Sequence, residues 1–133
     1  MSVFLRTVGA GFVAAAISYV LNKILLPRFR KYSVIILTPV MEEGAKTFLA
    51  LGFNASVVFT HTIFGLIEGA YDLFPFEEKK VAAFLVSLLS HVIFGVLTWL
   101  IFIYSSSWIL SASLVSAVHV LWNFGVIKIL KSS

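Results

Sequence analysis

Cysteine is absent from this 133-residue chain, and charge is scarce. The first absence removes disulfides, thiolate metal sites and cysteine nucleophiles. The second bears on the solvent. Charged residues make up 12% of the sequence, against about 25% in ordinary soluble domains. Apolar residues make up 60%, and the mean hydropathy is +1.04. A soluble domain of this size has too small a core to hide so much apolar surface. Linkers, low-complexity tracts and clear internal repeats are also missing, so residues 1–133 read as one domain. The formal charge of +4 calls for no nucleic-acid partner, because lysines and arginines at helix ends account for it. No cleaved targeting signal stands out. The first apolar run continues to Leu26, long for a signal peptide, and reads as an ordinary first span or signal anchor.

What the chain does have is apolar runs. They predict an all-α polytopic membrane protein, a bundle of about five transmembrane helices near 3–26, 33–53, 57–74, 80–104 and 108–130. Polar breaks part them: Pro27 through Lys31, Asn54 through Ser56, Pro75 through Lys80, and Ser105 through Ser107. Arg28, Arg30 and Lys31 follow the first run, Lys79 and Lys80 the third, and Lys128 and Lys131 end the fifth. The opposite loops carry no Lys or Arg, so the positive-inside rule places the amino terminus outside and the carboxyl terminus in the cytoplasm. Arg6 alone argues the other way. Trp99, Tyr104 and Trp108 fall where an outer interfacial belt belongs.

Ionisable residues inside these runs are the functional suspects, since each costs roughly 2.5–3.5 kcal/mol at a helix centre. Counted from the cytoplasmic ends at about 1.5 Å per residue, Glu42 lies about 13 Å deep, Glu68 about 9 Å, His91 about 16 Å and His119 about 14 Å. Four residues on four helices thus share one layer, and lipid exposure is prohibitive. They are expected to face one another around a wet cavity.

Each helix carries a short pattern. The second has Glu42-Glu43-Gly44-Ala45-Lys46, an E-E-x-x-K that sets Glu42 and Lys46 on one face. The third has Phe64-Gly65-Leu66-Ile67-Glu68, an F-x-x-x-E. The fourth has His91. The fifth has His119-Val120-Leu121-Trp122-Asn123, an H-x-x-x-N with imidazole and carboxamide one turn apart. In this order the motifs resemble the PrsW family of intramembrane proteases, of the CPBP (Abi) group that includes the type II CAAX prenyl proteases. The resemblance spans about Glu42 to Asn123. The CAAX enzymes show E-E-x-x-x-R and F-x-x-x-H, so Lys46 one position early and Glu68 in the histidine's place both favour PrsW. The resemblance implies a membrane-embedded peptidase acting on membrane protein or peptide substrates within the lipid bilayer.

The chemistry can also be built from the residues. Peptide hydrolysis needs an activated water and stabilisation of an oxyanion. Glu42 or Glu43, buried beside a second carboxylate, suits a general base, with Glu42 preferred because it shares a face with Lys46. His91 with Glu68 suits holding that water or moving its proton. His119 and Asn123 suit oxyanion donation, as the CAAX-protease resemblance implies. Alternatively, His91, His119 and Glu42 or Glu68 bind zinc, with an open fourth position. The metal-free version is preferred because it gives Asn123 a role. An H-E-x-x-H zinc helix and a G-x-S-x-G serine turn are both missing.

Plainer readings stand beside these. Glu42, Glu43 and Lys46 also make sense as a structural charge cluster, with Glu43 anchoring the helix against a neighbour. Glu68 also reads as a counter-charge to a histidine, His91 and His119 as interhelical glue, and Asn123 as a packing amide. His61 reads as structural or pore-lining. Gly9, Gly11, Gly65, Gly69 and Gly95 permit close helix approach. A transporter or proton-conducting protein is the main rival, because buried Glu and His also build proton relays. A non-catalytic Abi-like immunity or interaction protein is the second.

Overall fold

A computed structural model describes residues 1–74 and 78–132, and every regular element among them is helical. Helix α1 (Val3–Tyr32) runs through a π-helical segment (Ser33–Leu37) into α2 (Thr38–Gly52). Helices α3 (Val57–Leu73), α4 (Glu78–Ser105) and α5 (Trp108–Ser132) follow. The polar break at 75–77 lies outside the described residues, as do the side chains of Arg30, Lys31, Glu78, Lys79 and Lys131.

The expected loop from Pro27 to Lys31 is instead helical. The chain nevertheless doubles back. Thr38 Oγ1 donates to Asn22 Oδ1 at 2.6 Å, whereas a straight helix would hold residues 16 apart about 24 Å from one another. Pro27, which removes an intrahelical hydrogen bond and clashes with the preceding turn, lies in this reversal, and the widened π turn completes it. Pro39 then occupies the first turn of α2, where no intrahelical donor is needed.

The other connections are tight. Asn54, at φ 53°, and Ser106, at φ 54°, end α2 and α4 in the left-handed region. Ser56 Oγ accepts from Phe59 N to start α3, and Ser107 Oγ accepts from Leu110 N at 3.2 Å to start α5. Phe102 stacks on Trp108 across the second turn, with ring centroids 3.6 Å apart.

Helices α1 and α3 run parallel: Ser56 N donates to Thr7 Oγ1 at one end, and Tyr19 meets Tyr71 at the other. Helix α4 runs antiparallel to α3 and makes its broadest interface with it. Two glycines set that approach. A Cβ on Gly65 would lie 2.7 Å from His91 Cβ, and one on Gly95 would lie 2.8 Å from His61 Cβ. Both histidines therefore sit where a neighbouring helix has no side chain.

The molecule is inside out by the standards of soluble proteins. Glu42, Glu43, Lys46, His61, His91 and His119 are all buried, with Thr47, Thr60, Thr98 and Ser111 among them. Phe12, Ile24, Phe59, Leu89, Leu121 and Phe124 are exposed. Among the described residues, three helical stretches are long and apolar enough to cross a membrane: Val3–Phe29, Lys80–Ser105 and Trp108–Val126. Helix α2, with 15 residues, is shorter than the run expected near 33–53, because the π-helical reversal takes residues 33–37, whereas α3 follows the expected 57–74 to within one residue.

Candidate functional site

Helix α2 supplies the centre of the site. Its buried stripe is charged and its exposed stripe, including Val40, Met41 and Phe48, is apolar. Lys46 Nζ donates to Glu43 Oε1 at 2.5 Å, one helical turn back, and also to His91 Nδ1 at 3.0 Å. Because that nitrogen accepts, His91 carries its proton on Nε2 and donates to Glu68 Oε2 at 2.6 Å. Ser87 Oγ donates to the same carboxylate oxygen at 3.2 Å.

On the other side, His119 Nδ1 donates to Glu43 Oε1 at 2.8 Å. His61 Nε2 lies 3.0 Å from Glu43 Oε2, and His61 Nδ1 lies 2.9 Å from the Val57 carbonyl. Both His61 nitrogens thus face acceptors, and a neutral imidazole donates from only one. The result is one hydrogen-bonded chain, Glu68–His91–Lys46–Glu43–His119 with His61 as a branch, across α2, α3, α4 and α5. It holds all three histidines of the sequence. Aromatic rings wall it: Phe64 meets His91 edge-on, Phe94 lies against His119, and the Lys46 ammonium sits 4.5 Å from the Phe64 ring centre.

This geometry revises the expected division of labour on α2. Lys46 bonds to Glu43 instead of Glu42, and Glu43 anchors α2 against two neighbouring helices as the fully buried hub of the network. Glu42 turns towards α1 and α3. There, one oxygen each from Glu42 and Glu68 and a His91 ring nitrogen lie within 4.8 Å of one another. Asn22 of α1 lines the same cavity as Glu42. Like charges this close repel, so the pair is held together by the fold.

Glu42 and Glu68 reach the wall of a cavity of about 770 Å³ between α1 and α3. Phe12, Tyr19, Phe64 and Ile67 form much of its apolar wall. The Glu68 side chain is 38% exposed, while Glu43, Lys46 and His61 lie behind the wall at 0%. A water in this cavity has a carboxylate within reach and a buried hydrogen-bonded chain behind it.

Of the six residues singled out in the sequence, Glu42 and Glu68 line the cavity with the buried His91 close behind them, and Glu43 and His119 meet deeper in the bundle. Asn123 is half-buried one turn beyond His119 on α5. Sequence reasoning missed His61 as a network member, and Asn22 and Ser87 altogether. Asn22 had a signal, as an amide late in the first apolar run. The types Glu42, Glu68 and His91 suit zinc. Both His91 nitrogens are already engaged, however, so ligation through His91 requires breaking its bond to Lys46 or to Glu68. Compared with known protein families, curated proteins and solved structures, the chain matches none.

Proposed function

We propose that this chain is an integral membrane peptidase that hydrolyses peptide bonds in membrane-embedded or membrane-adjacent segments, as the resemblance of its four motifs to PrsW implies. One observation carries the reading: Glu42 and Glu68, at the wall of a cavity large enough for a peptide segment, converge within 4.8 Å of each other and of the buried His91 behind them. The inside-out distribution of polar and apolar residues supports a lipid environment. The lysine and arginine pattern supports an outside amino terminus and a cytoplasmic carboxyl terminus.

In the mechanism, Glu42 takes a proton from a cavity water as its oxygen adds to the substrate carbonyl carbon. Glu68, fixed by Ser87 and His91, orients that water. The oxyanion donors that the resemblance implies, His119 and Asn123, do not line the cavity, so the substrate carbonyl must pass Glu42 towards α5 to meet them. With Nδ1–H committed to Glu43, a neutral His119 offers only a lone pair at Nε2, so donation there requires the imidazolium. Glu42 then returns its proton to the leaving amine as the carbon–nitrogen bond breaks.

A metal-dependent version places zinc on Glu42, Glu68 and His91, with zinc lowering the pKa of its bound water. The engagement of both His91 nitrogens favours the metal-free version. The test is incubation of purified protein with a panel of transmembrane peptides, comparing wild type, Glu42→Ala and His119→Ala with and without chelator. Cleavage by wild type and by neither variant supports the reading, and cleavage unaffected by both substitutions sinks it.

A second reading, a proton-conducting or proton-coupled protein, draws on the unbroken chain from Glu68 to His119. Acidification of dye-loaded liposomes through the wild type, abolished by Lys46→Met, would favour it.

A further inference from the structure

The cavity between α1 and α3 has features that the hydrolytic mechanism leaves unused. The two helices press together where a Cβ on Gly11 would meet Ile63 at 2.5 Å. Beyond that point the small side chains Ala15, Ala16 and Ser18 line α1's side of the cavity. The wall has two characters. Phe12 and Tyr19 on α1 and Phe64 and Ile67 on α3 make an apolar trough, with about 10 Å of helix between Phe12 and Tyr19. At the polar end stand Glu42, Glu68 and Asp72, facing Lys23. Lys46 acts on Glu42 and Glu68 from behind the wall, but its ammonium bonds directly to the Glu43 carboxylate, which balances it. Among the described side chains, even with Lys80 of α4 acting on Asp72, carboxylates outnumber ammonium groups at this cavity by three to two.

A second observation points to a ligand. Ser18 is buried at the cavity wall, 6% exposed, and its hydroxyl has no hydrogen-bond partner among the described residues. A buried hydroxyl left unpaired costs stability that a bound polar group restores.

We infer that this cavity binds an apolar peptide segment through a lysine or arginine side chain placed against Glu68 and Asp72. Glu68 and Asp72 lie one turn apart on α3, so one cationic head can reach both carboxylates. The apolar trough takes the adjoining residues and leaves Glu42 beside the backbone. The inference names a substrate class for the proposed peptidase, and its binding step stands independently of hydrolysis.

The test is binding, read whether or not the peptide is cut. The full chain is placed in phosphatidylcholine nanodiscs and titrated with fluorescent apolar peptides of about 20 residues. Each peptide carries Lys, Gln or Glu at one position near the membrane surface, and anisotropy reports affinity. The Lys peptide is expected to bind about tenfold more tightly than the Gln peptide, with the Glu peptide weakest. Asp72→Lys is expected to reverse that order, and Asp72→Asn to reduce the Lys preference without adding charge. Ala16→Trp, which fills the wall, is expected to weaken all three. Equal affinity for the three peptides overturns the inference, as does an order that both Asp72 variants preserve. Undiminished binding to Ala16→Trp overturns it by placing the peptide elsewhere. A Lys preference lost in phosphatidylethanolamine nanodiscs overturns it in favour of a lipid amine. Charge-selective binding without cleavage removes the peptidase reading and keeps this one, whereas cleavage without charge selection does the reverse.

Discussion

Glu43 Oε1 accepts a hydrogen bond from His119 Nδ1 at 2.8 Å, tying α2 to α5 across 76 residues of chain. The same carboxylate holds Lys46 and His61, so one buried side chain serves three partners on three helices. Glu42, one position earlier, lies on the cavity instead. Adjacent residues on a helix point about 100° apart, and here that angle separates the buried network from the cavity wall.

Removing Glu43 should therefore be a stability lesion. Glu43→Ala leaves an ammonium and two imidazoles buried without their acceptor. Breaking one partner of a buried ion pair costs about 3–5 kcal/mol. Denaturant unfolding of the purified protein in detergent measures it, and a loss under about 1 kcal/mol contradicts the network as described.

Two glycines on neighbouring elements should respond in opposite directions to alanine. At Gly65 the new methyl meets His91 at 2.7 Å, and overpacking of this kind costs about 1–3 kcal/mol. At Gly44 nothing lies within 4 Å, and the change gains about 0.5–1 kcal/mol of helix propensity. Thermal unfolding of both variants checks the pair. Gly65→Ala should also disturb the His91–Glu68 bond, whereas Gly44→Ala should not.

The tautomers provide an independent reading of the hydrogen bonds. His91 should carry its proton on Nε2 and His119 on Nδ1, because Lys46 donates to the first and Glu43 accepts from the second. Nitrogen-15 spectra of histidine-labelled protein in nanodiscs distinguish the two forms. Lys46→Met should free His91 Nδ1 and mix its tautomers. Identical spectra before and after that substitution would contradict the assignment.

Chelation should leave activity intact. Zinc ligation by His91 competes with two hydrogen bonds, of 2.6 and 3.0 Å, that the protein already makes. Peptide cleavage is therefore expected to persist in excess chelator. Loss on chelation and recovery on adding zinc would replace the metal-free mechanism with the metal-assisted one.

The helical class and the polar residues of the site were legible in the sequence because apolar runs interrupted by Glu, His and Lys leave few alternatives in so hydrophobic a chain. The route between α1 and α2 was not. Pro27 and the basic residues after it look like a loop, yet a proline and a π turn bend helical backbone enough to bring Thr38 back to Asn22. His61 escaped for a related reason. Depth counted from helix ends assumes upright helices, and by that count His61 lay two turns above Glu68 and outside the layer. In the fold, Glu43 and Glu42 diverge from one turn of α2, so one reaches His61 and the other approaches Glu68. The pairing of Lys46 was similarly undetermined, since i,i+3 and i,i+4 partners are both within reach on a helix and only burial decides between them.

The most direct measurement compares Glu42→Gln with wild type for cleavage of a transmembrane peptide, with unfolding recorded on the same samples. Glu42→Gln removes the base and relieves repulsion with Glu68, so the variant should stay folded with stability within about 1 kcal/mol of wild type and lose at least about a hundredfold in rate. A folded Glu42→Gln protein that cleaves at the wild-type rate would contradict the assignment of Glu42 as the base and, with it, the proposed mechanism.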